Sequence, residues 1–196
     1  MNFIPLNVSL DEACIKDFIR RYHFDEKDKN EVLKLYRQVK PRIHAAFHYV
    51  TGNDKNSFCK ENAEDVVILV TLGQAFDEFQ ESFLSKGDIH RAYMLDCIGL
   101  ELLWAAYDEV DKEINNRTGK YVGNYTFAGE DTLPITEIPR LMGILGQKLV
   151  TYNSAFALTP KKSVVMVAPL LDEKMEKNQL IIQIVYHVII QFHAPL

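Results

Sequence analysis

His44 and His48 lie four positions apart, a spacing that sets two imidazoles on one face of a helix or of a strand, where they could share a metal ion. Ala45 and Ala46 stand between them, so the glutamate of the zinc-protease H-E-x-x-H signature is missing, and two surface histidines are the plain alternative. His187 and His193 define no better pair. Asp96 and Glu101 are the few charges in a strongly apolar helical stretch. A carboxylate buried there must be paired or neutralised, which would shift its pKa and fit it for a task; on a narrow polar stripe it would merely touch solvent. Lys161-Lys162-Ser163 could meet an anion or form a solvated turn. Neither G-x-x-x-x-G-K-[ST] nor G-x-G-x-x-G occurs, and no G-x-S-x-G elbow supports serine hydrolase chemistry.

The elements that must position these residues are organised around Asp65–Asn116. Val66-Val67-Ile68-Leu69-Val70 is a β-branched run without alternation, the pattern of a strand buried on both faces, and Gly73 allows a sharp turn into a helix. Phe76, Phe79 and Phe83 share one face of that helix; Gly87 ends it and Asp88 caps a longer one. In the long helix Ala92, Leu95, Leu102, Leu103, Ala106 and Val110 form one stripe, and Tyr93, Ile98, Leu100, Trp104 and Tyr107 fill much of the remainder, which sets it in the middle of a domain.

Upstream, Phe3–Val8 reads as extended, and Ser9 with Glu12 forms a capping box for a helix to about Arg21. A second helix over Asp25–Val39 turns Val32, Leu35, Tyr36 and Val39 inward, and Pro41 stops it. Arg42–Val50 alternates as a strand does, with a continued helix as the rival, and Thr51–Ser57 is a turn or loop. Downstream, Arg117–Asn124 reads as a hinge or loop. Thr136 and Pro139 open a short helix that Gly146 ends. Ser154–Ala157 and Ser163–Pro169 read as strands about a Thr159-Pro160 turn, and Ile181–Phe192 as a strand whose period also admits a helix. Residues 1–40 are expected to form a helical segment packed on a 41–196 core, one domain overall.

With 196 residues, 47% hydrophobic and 25% charged, the composition is that of a globular domain. A net charge of -5 without a basic block lacks the footprint of a nucleic-acid binder. Three scattered cysteines, Cys14, Cys59 and Cys97, fit no metal spacing and point to reduced thiols in the cytoplasm. The first ten residues lack the basic start of a signal peptide. The run Leu180–Phe192 is broken by Gln183, His187 and Gln191 and falls short of the roughly 20 residues a bilayer requires, so no membrane segment is expected.

Two blocks, read in order, resemble the reactivation domain of cobalamin-dependent methionine synthase, in particular its free-standing bacterial relatives. The first is Val66–Gly73, then Lys86-Gly87-Asp88-Ile89, then Leu95-Asp96-Cys97-Ile98-Gly99. The second is Gly129, Leu133-Pro134, the helix to Leu145, and Phe156-Ala157-Leu158-Thr159-Pro160-Lys161-Lys162-Ser163-Val164. The resemblance covers roughly residues 30–170. It implies an α+β fold, a twisted, largely antiparallel sheet with flanking helices. It also implies binding of S-adenosylmethionine, which such a domain presents to an inactive corrinoid (cobalamin) on a partner module while a flavodoxin-type protein supplies an electron. Taken with the residue chemistry above, the candidate binding positions are Thr71, Gly73, Asp96, Glu101, Tyr125, Gly129, Glu130, Asp131 and Ser163, with no catalytic residue and no metal ligand. The bends at Gly73 and Gly129 are then expected to meet across one groove.

The chain departs from that family at its donor loop, which resembles R-x-x-P-G-Y. Tyr125-Thr126-Phe127-Ala128-Gly129-Glu130 keeps only the glycine, and Trp104 stands where the family tends to place a glutamate. Glu130 and Asp131 could instead draw the donor's ammonium or sulfonium charge, or bond its ribose hydroxyls. The cysteine-rich tail of the free-standing relatives is replaced by Leu180–Leu196. The alternative expectation is a binding or scaffold module of the same fold that no longer takes the donor.

Overall fold

A computed structural model describes residues 3–52 and 64–175. Among these, strands β1 (Ile4–Pro5), β2 (Ala46–Gly52), β3 (Asp65–Thr71) and β8 (Ser163–Leu171) lie in that spatial order. The short strands β4 (Tyr121–Val122) and β5 (Thr126–Phe127) both pair with the far edge of β8. The pairings of this sheet are antiparallel, with Phe47 opposite Val70 and Ile68 opposite Met166. A separate hairpin joins β6 (Thr151–Tyr152) to β7 (Leu158–Thr159). This is the α+β architecture expected of the sequence.

Every residue of β3 is buried, because helices cover both faces of the sheet. Val66, Ile68 and Val70 point to the side packed by α2 (Lys29–Val39) and α4 (Ile89–Thr118), while Val67 and Leu69 point to α5 (Ile138–Leu145). The period-2 geometry of a strand divides the five aliphatic side chains between two cores, each side chain adding about 1.5–3 kcal/mol on burial. Helices α1 (Ile15–Arg21) and α3 (Gln74–Leu84) complete the larger core, which Phe18, Ile19, Val32, Leu35, Tyr36 and Val39 enter from the N-terminal end of the chain. No helix among the described residues is long and apolar enough to cross a membrane.

Four local expectations need correction. The turn preceding α1 is capped by Asp11, which accepts from the Ala13 amide, and not by a Ser9–Glu12 box; Glu12 instead takes a bidentate ion pair from Arg37. Arg117–Asn124 is only in part a loop: α4 runs to Thr118, Gly119 closes it in the left-handed region at φ 72°, and β4 follows. Ser154–Ala157 is the tip of the β6–β7 hairpin, held by the Asn153 carboxamide, whose oxygen accepts from the amides of Ala155 and Ala157. The long helix is not buried all round, since Tyr93 is 45% exposed. Thr51 and Gly52 extend β2, and the remainder of the expected 51–57 turn, with the Ile181–Phe192 element and the 180–196 tail, lies outside the described residues.

Candidate functional site

Where β3 ends, Thr71 and Ser163 face one another across the ladder, and the Ser163 hydroxyl donates to Thr71 Oγ1 at 2.8 Å. The same oxygen accepts from the Gly73 amide at 3.1 Å. Gly73 has φ 89°, and a side chain there would meet His44 Cβ at 3.0 Å and its carbonyl oxygen at 3.2 Å. Only glycine fits this turn, which starts α3 directly under the strand end. Asp77, in the first turn of α3, accepts from the backbone amides of Lys161 and Lys162 and so ties the helix to the start of β8. Burial pushes the Asp77 carboxyl above its ordinary value, against the pull of those two amides and both lysine charges.

Lys162 directly precedes β8, and its carbonyl accepts from the Leu72 amide at 2.9 Å. Lys162, only 2% exposed, passes under α4 and donates to Asp96 at 2.6 Å. Gln80 adds a bond to the same carboxylate oxygen at 3.1 Å and one to the Ala92 carbonyl. The lysine stem lies over Gly99, where a Cβ would come within 2.8 Å of Lys162 Cε and 2.9 Å of the Phe76 ring. Lys162 is thus neither a solvated turn residue nor an open anion site: its charge is matched inside the molecule. An open groove of about 370 Å³ runs outside this joint, between Gln74, Glu78 and Glu81 of α3 and Thr159 and Lys161. Lys161 spans it to Glu81 at 3.2 Å.

Glu101 lies five residues beyond Asp96, about 140° further round the helix. It accepts from Arg21 at 2.7 Å and Tyr22 at 3.0 Å, an ion pair and hydrogen bond that fasten α1 to α4. The two acids are therefore paired rather than free on a polar stripe, and they face different neighbours.

β5 brings the second half of the expected site. Both β3 and β5 run antiparallel to β8, on opposite sides of it, so both finish toward its Ser163 end. Gly73 and Gly129 consequently bend at the same end of the sheet with β8 between them. The Ala128 amide continues the ladder to the Val165 carbonyl at 3.0 Å. Gly129, at φ 113°, then begins a compact loop in which its amide bonds the Leu133 carbonyl and the Leu133 amide bonds the Glu130 carbonyl. Glu130 is half-buried, and burial pushes its carboxyl above the ordinary glutamate value while the Phe127 amide works against it; Asp131 beside it is exposed.

Tyr125 turns from this loop toward α4, where its hydroxyl donates to Asp111. Burial, followed by the Asp111 charge, raises the phenol well above its usual value. Its ring meets Tyr107 at 5.7 Å and Phe127 at 5.9 Å, and Tyr107 meets Trp104 edge-on at 5.3 Å. The Tyr107 hydroxyl is buried and has no hydrogen-bond partner among the described residues. The polar contacts of Asp77 and Asp111 and the buried hydroxyl of Tyr107 escaped the sequence reading. For the last two a signal existed: they sit one turn apart on the α4 face that also carries Asp96.

His48 is not a surface histidine, for its ring is buried against Phe3 and shares a hydrogen bond with the Leu145 carbonyl. His44 stays exposed beside Gly73. No group of three metal-ligating side chains converges among the described residues. Cys97 is buried, which pushes its thiol up to about 12 and leaves it unreactive at neutral pH.

No family model matches the sequence, and no curated protein matches it. A solved structure does: the MetH reactivation domain bound to AdoHcy superimposes with a TM-score of 0.55 over 97% of this chain and 87% of that one, at 10% identity. The mixed fold with its curled antiparallel sheet is the fold of that domain.

Proposed function

We propose that this chain is a cytoplasmic, reactivation-domain-like module that binds S-adenosylmethionine and presents it to a partner protein carrying a corrinoid, with a flavodoxin-type protein as electron source. One observation carries the reading: the fold of a domain solved with AdoHcy, the demethylated form of that donor, spans 97% of the chain. The donor would lie at the Ser163 end of the sheet, between the Thr71–Gly73 turn and the Gly129–Asp131 loop. The fit is good at the ligand's cationic end. Glu130 is a half-buried carboxylate whose charge is poorly solvated, so an ammonium or sulfonium beside it would relieve that cost, and exposed Asp131 can accept from ribose hydroxyls. The fit is poor at the carboxylate end, because Tyr125–Asp131 contains no cation. The donor supplies the methyl group and the partner's corrinoid receives it; the residues here would bind, orient and shield.

A second reading is favoured by the hydrogen bonds themselves. Thr71 and Ser163 bond one another, Asp96 holds Lys162, Glu101 holds Arg21, and Tyr125 holds Asp111. A module that keeps the fold and a corrinoid-protein surface, without the donor, would have this internally paired character. Calorimetric titration of the folded chain with S-adenosylmethionine separates the two. Saturable heat is expected; no heat at millimolar ligand overturns the donor reading, and co-purification with a corrinoid protein would then support the module.

A further inference from the structure

The open groove along α3 holds accessible charge of both signs. Lys161 and Glu81 face one another across it at 3.2 Å, with 55% and 58% of their side chains exposed. Glu78 lies one turn before Glu81 on the same wall, is exposed, and makes no ion pair among the described residues. A volume of about 370 Å³ falls in the range of small-molecule sites. The groove also meets the end of the sheet argued for the donor. Gln74, which lines it, directly follows Gly73, and Lys161 stands two residues before Ser163.

The walls are fixed without these charges. Asp77 accepts from the Lys161 amide, not its ammonium, and its second carboxylate oxygen accepts from the Lys162 amide. The Lys161 side chain can therefore turn without loosening the joint between α3 and β8. An exposed lysine–glutamate pair adds little to stability, so opening it to admit a ligand costs correspondingly little.

We propose that this groove is a subsite for a zwitterionic α-amino-acid group, with Lys161 on its carboxylate and Glu81 and Glu78 on its ammonium. Set between Lys161 and Glu81, such a group gives each of them a new opposite charge. A ligand carrying one charge would satisfy one of the two and strand the other. Resting on the reading above, the group is the methionyl end of S-adenosylmethionine, and Lys161 is the cation that Tyr125–Asp131 lacks. Glu130 then meets the sulfonium.

The full chain is titrated calorimetrically with S-adenosylmethionine, with L-methionine, which keeps the zwitterion, and with methylthioadenosine, which lacks it. Lys161→Ala is expected to weaken S-adenosylmethionine and L-methionine about tenfold and to leave methylthioadenosine unchanged. Lys161→Arg, which keeps the charge, should retain most of the affinity. Glu78→Gln combined with Glu81→Gln should weaken the same two ligands. Both Lys161 variants keep the backbone bond to Asp77, so their urea unfolding should match that of the native chain and separate lost affinity from lost fold. S-adenosylmethionine bound equally by the native chain and by Lys161→Ala overturns the subsite and leaves donor binding standing. Lys161-dependent binding of L-methionine without either adenosyl ligand supports the subsite and removes the donor. Silence from all three ligands overturns both.

Discussion

Asp96 and Asp111 stand on one face of α4, about 22 Å apart along its axis, and they have opposite fates. Asp96 meets a buried lysine and a glutamine; Asp111 accepts from the phenol of Tyr125. The first arrangement is closed: charge is matched, the lysine stem fills the space over Gly99, and α3, α4 and β8 are locked at one corner. The second retains a half-buried acid and ring faces. The first corner is a matched polar joint, whereas the second is core whose one buried hydroxyl, on Tyr107, has no partner among the described residues.

The hardest test of that division is Lys162→Ala. Removing one partner of a buried pair leaves Asp96 uncompensated, and unfolding by urea should show a loss of about 3–5 kcal/mol. The pairing of Lys162→Met with Asp96→Asn should recover most of it, because matched removal leaves no stranded charge. A loss below about 1 kcal/mol for the alanine variant would mean that the corner is not the joint described.

At the other corner a smaller effect of opposite sign is expected. Tyr107→Phe deletes a buried hydroxyl with no described partner, so the unliganded protein should gain up to about 1 kcal/mol by the same measurement. A destabilised Tyr107→Phe protein would show the hydroxyl to be bonded in solution, and the two corners would then be alike.

The mildest expectation concerns Glu130. Its folded-state pKa is raised by burial, so in the unfolded chain the group loses its proton first as pH climbs. The folded state then holds more protons than the unfolded one, and stability falls as pH rises from the ordinary glutamate range upward. Glu130→Gln should remove that decline, so its advantage over the native chain appears above about pH 4.5 and vanishes below it. Identical pH profiles would show the carboxylate to be as well solvated as any on the surface.

How much of this was legible depended on whether the signal was local. The Val66–Val70 run, the Val32–Leu35–Tyr36–Val39 face and the Asp88 cap all depend on residues within a few positions of one another, and each was readable. The Ser9–Glu12 box was readable too, but Arg37 claims Glu12 from the next helix and Asp11 caps instead. Lys162 was opaque for the same reason on a larger scale. A lysine pair beside a proline reads as a solvated turn, and the aspartate that keeps one of the pair inside is 66 residues earlier in the chain. Of the nine positions suggested for the donor, the ladder gathers Thr71, Gly73 and Ser163, and β5 brings Gly129, Glu130 and Asp131 to the same end of the sheet. Asp96 and Glu101 face apart because five residues on a helix do not return to one side. Tyr125 is drawn to Asp111, a contact set by β5 pairing and invisible to any short window.

The strand order also has a consequence for how the chain is made. β3, the most apolar strand described, takes one neighbour from β2 just before it and the other from β8, about ninety residues later. While the chain emerges from the ribosome, the Val66–Val70 edge waits for its second partner until Ser163–Leu171 has been synthesised. A nascent chain stalled near Thr159 therefore displays a bare hydrophobic ladder, and such fragments should require chaperone shielding and aggregate without it.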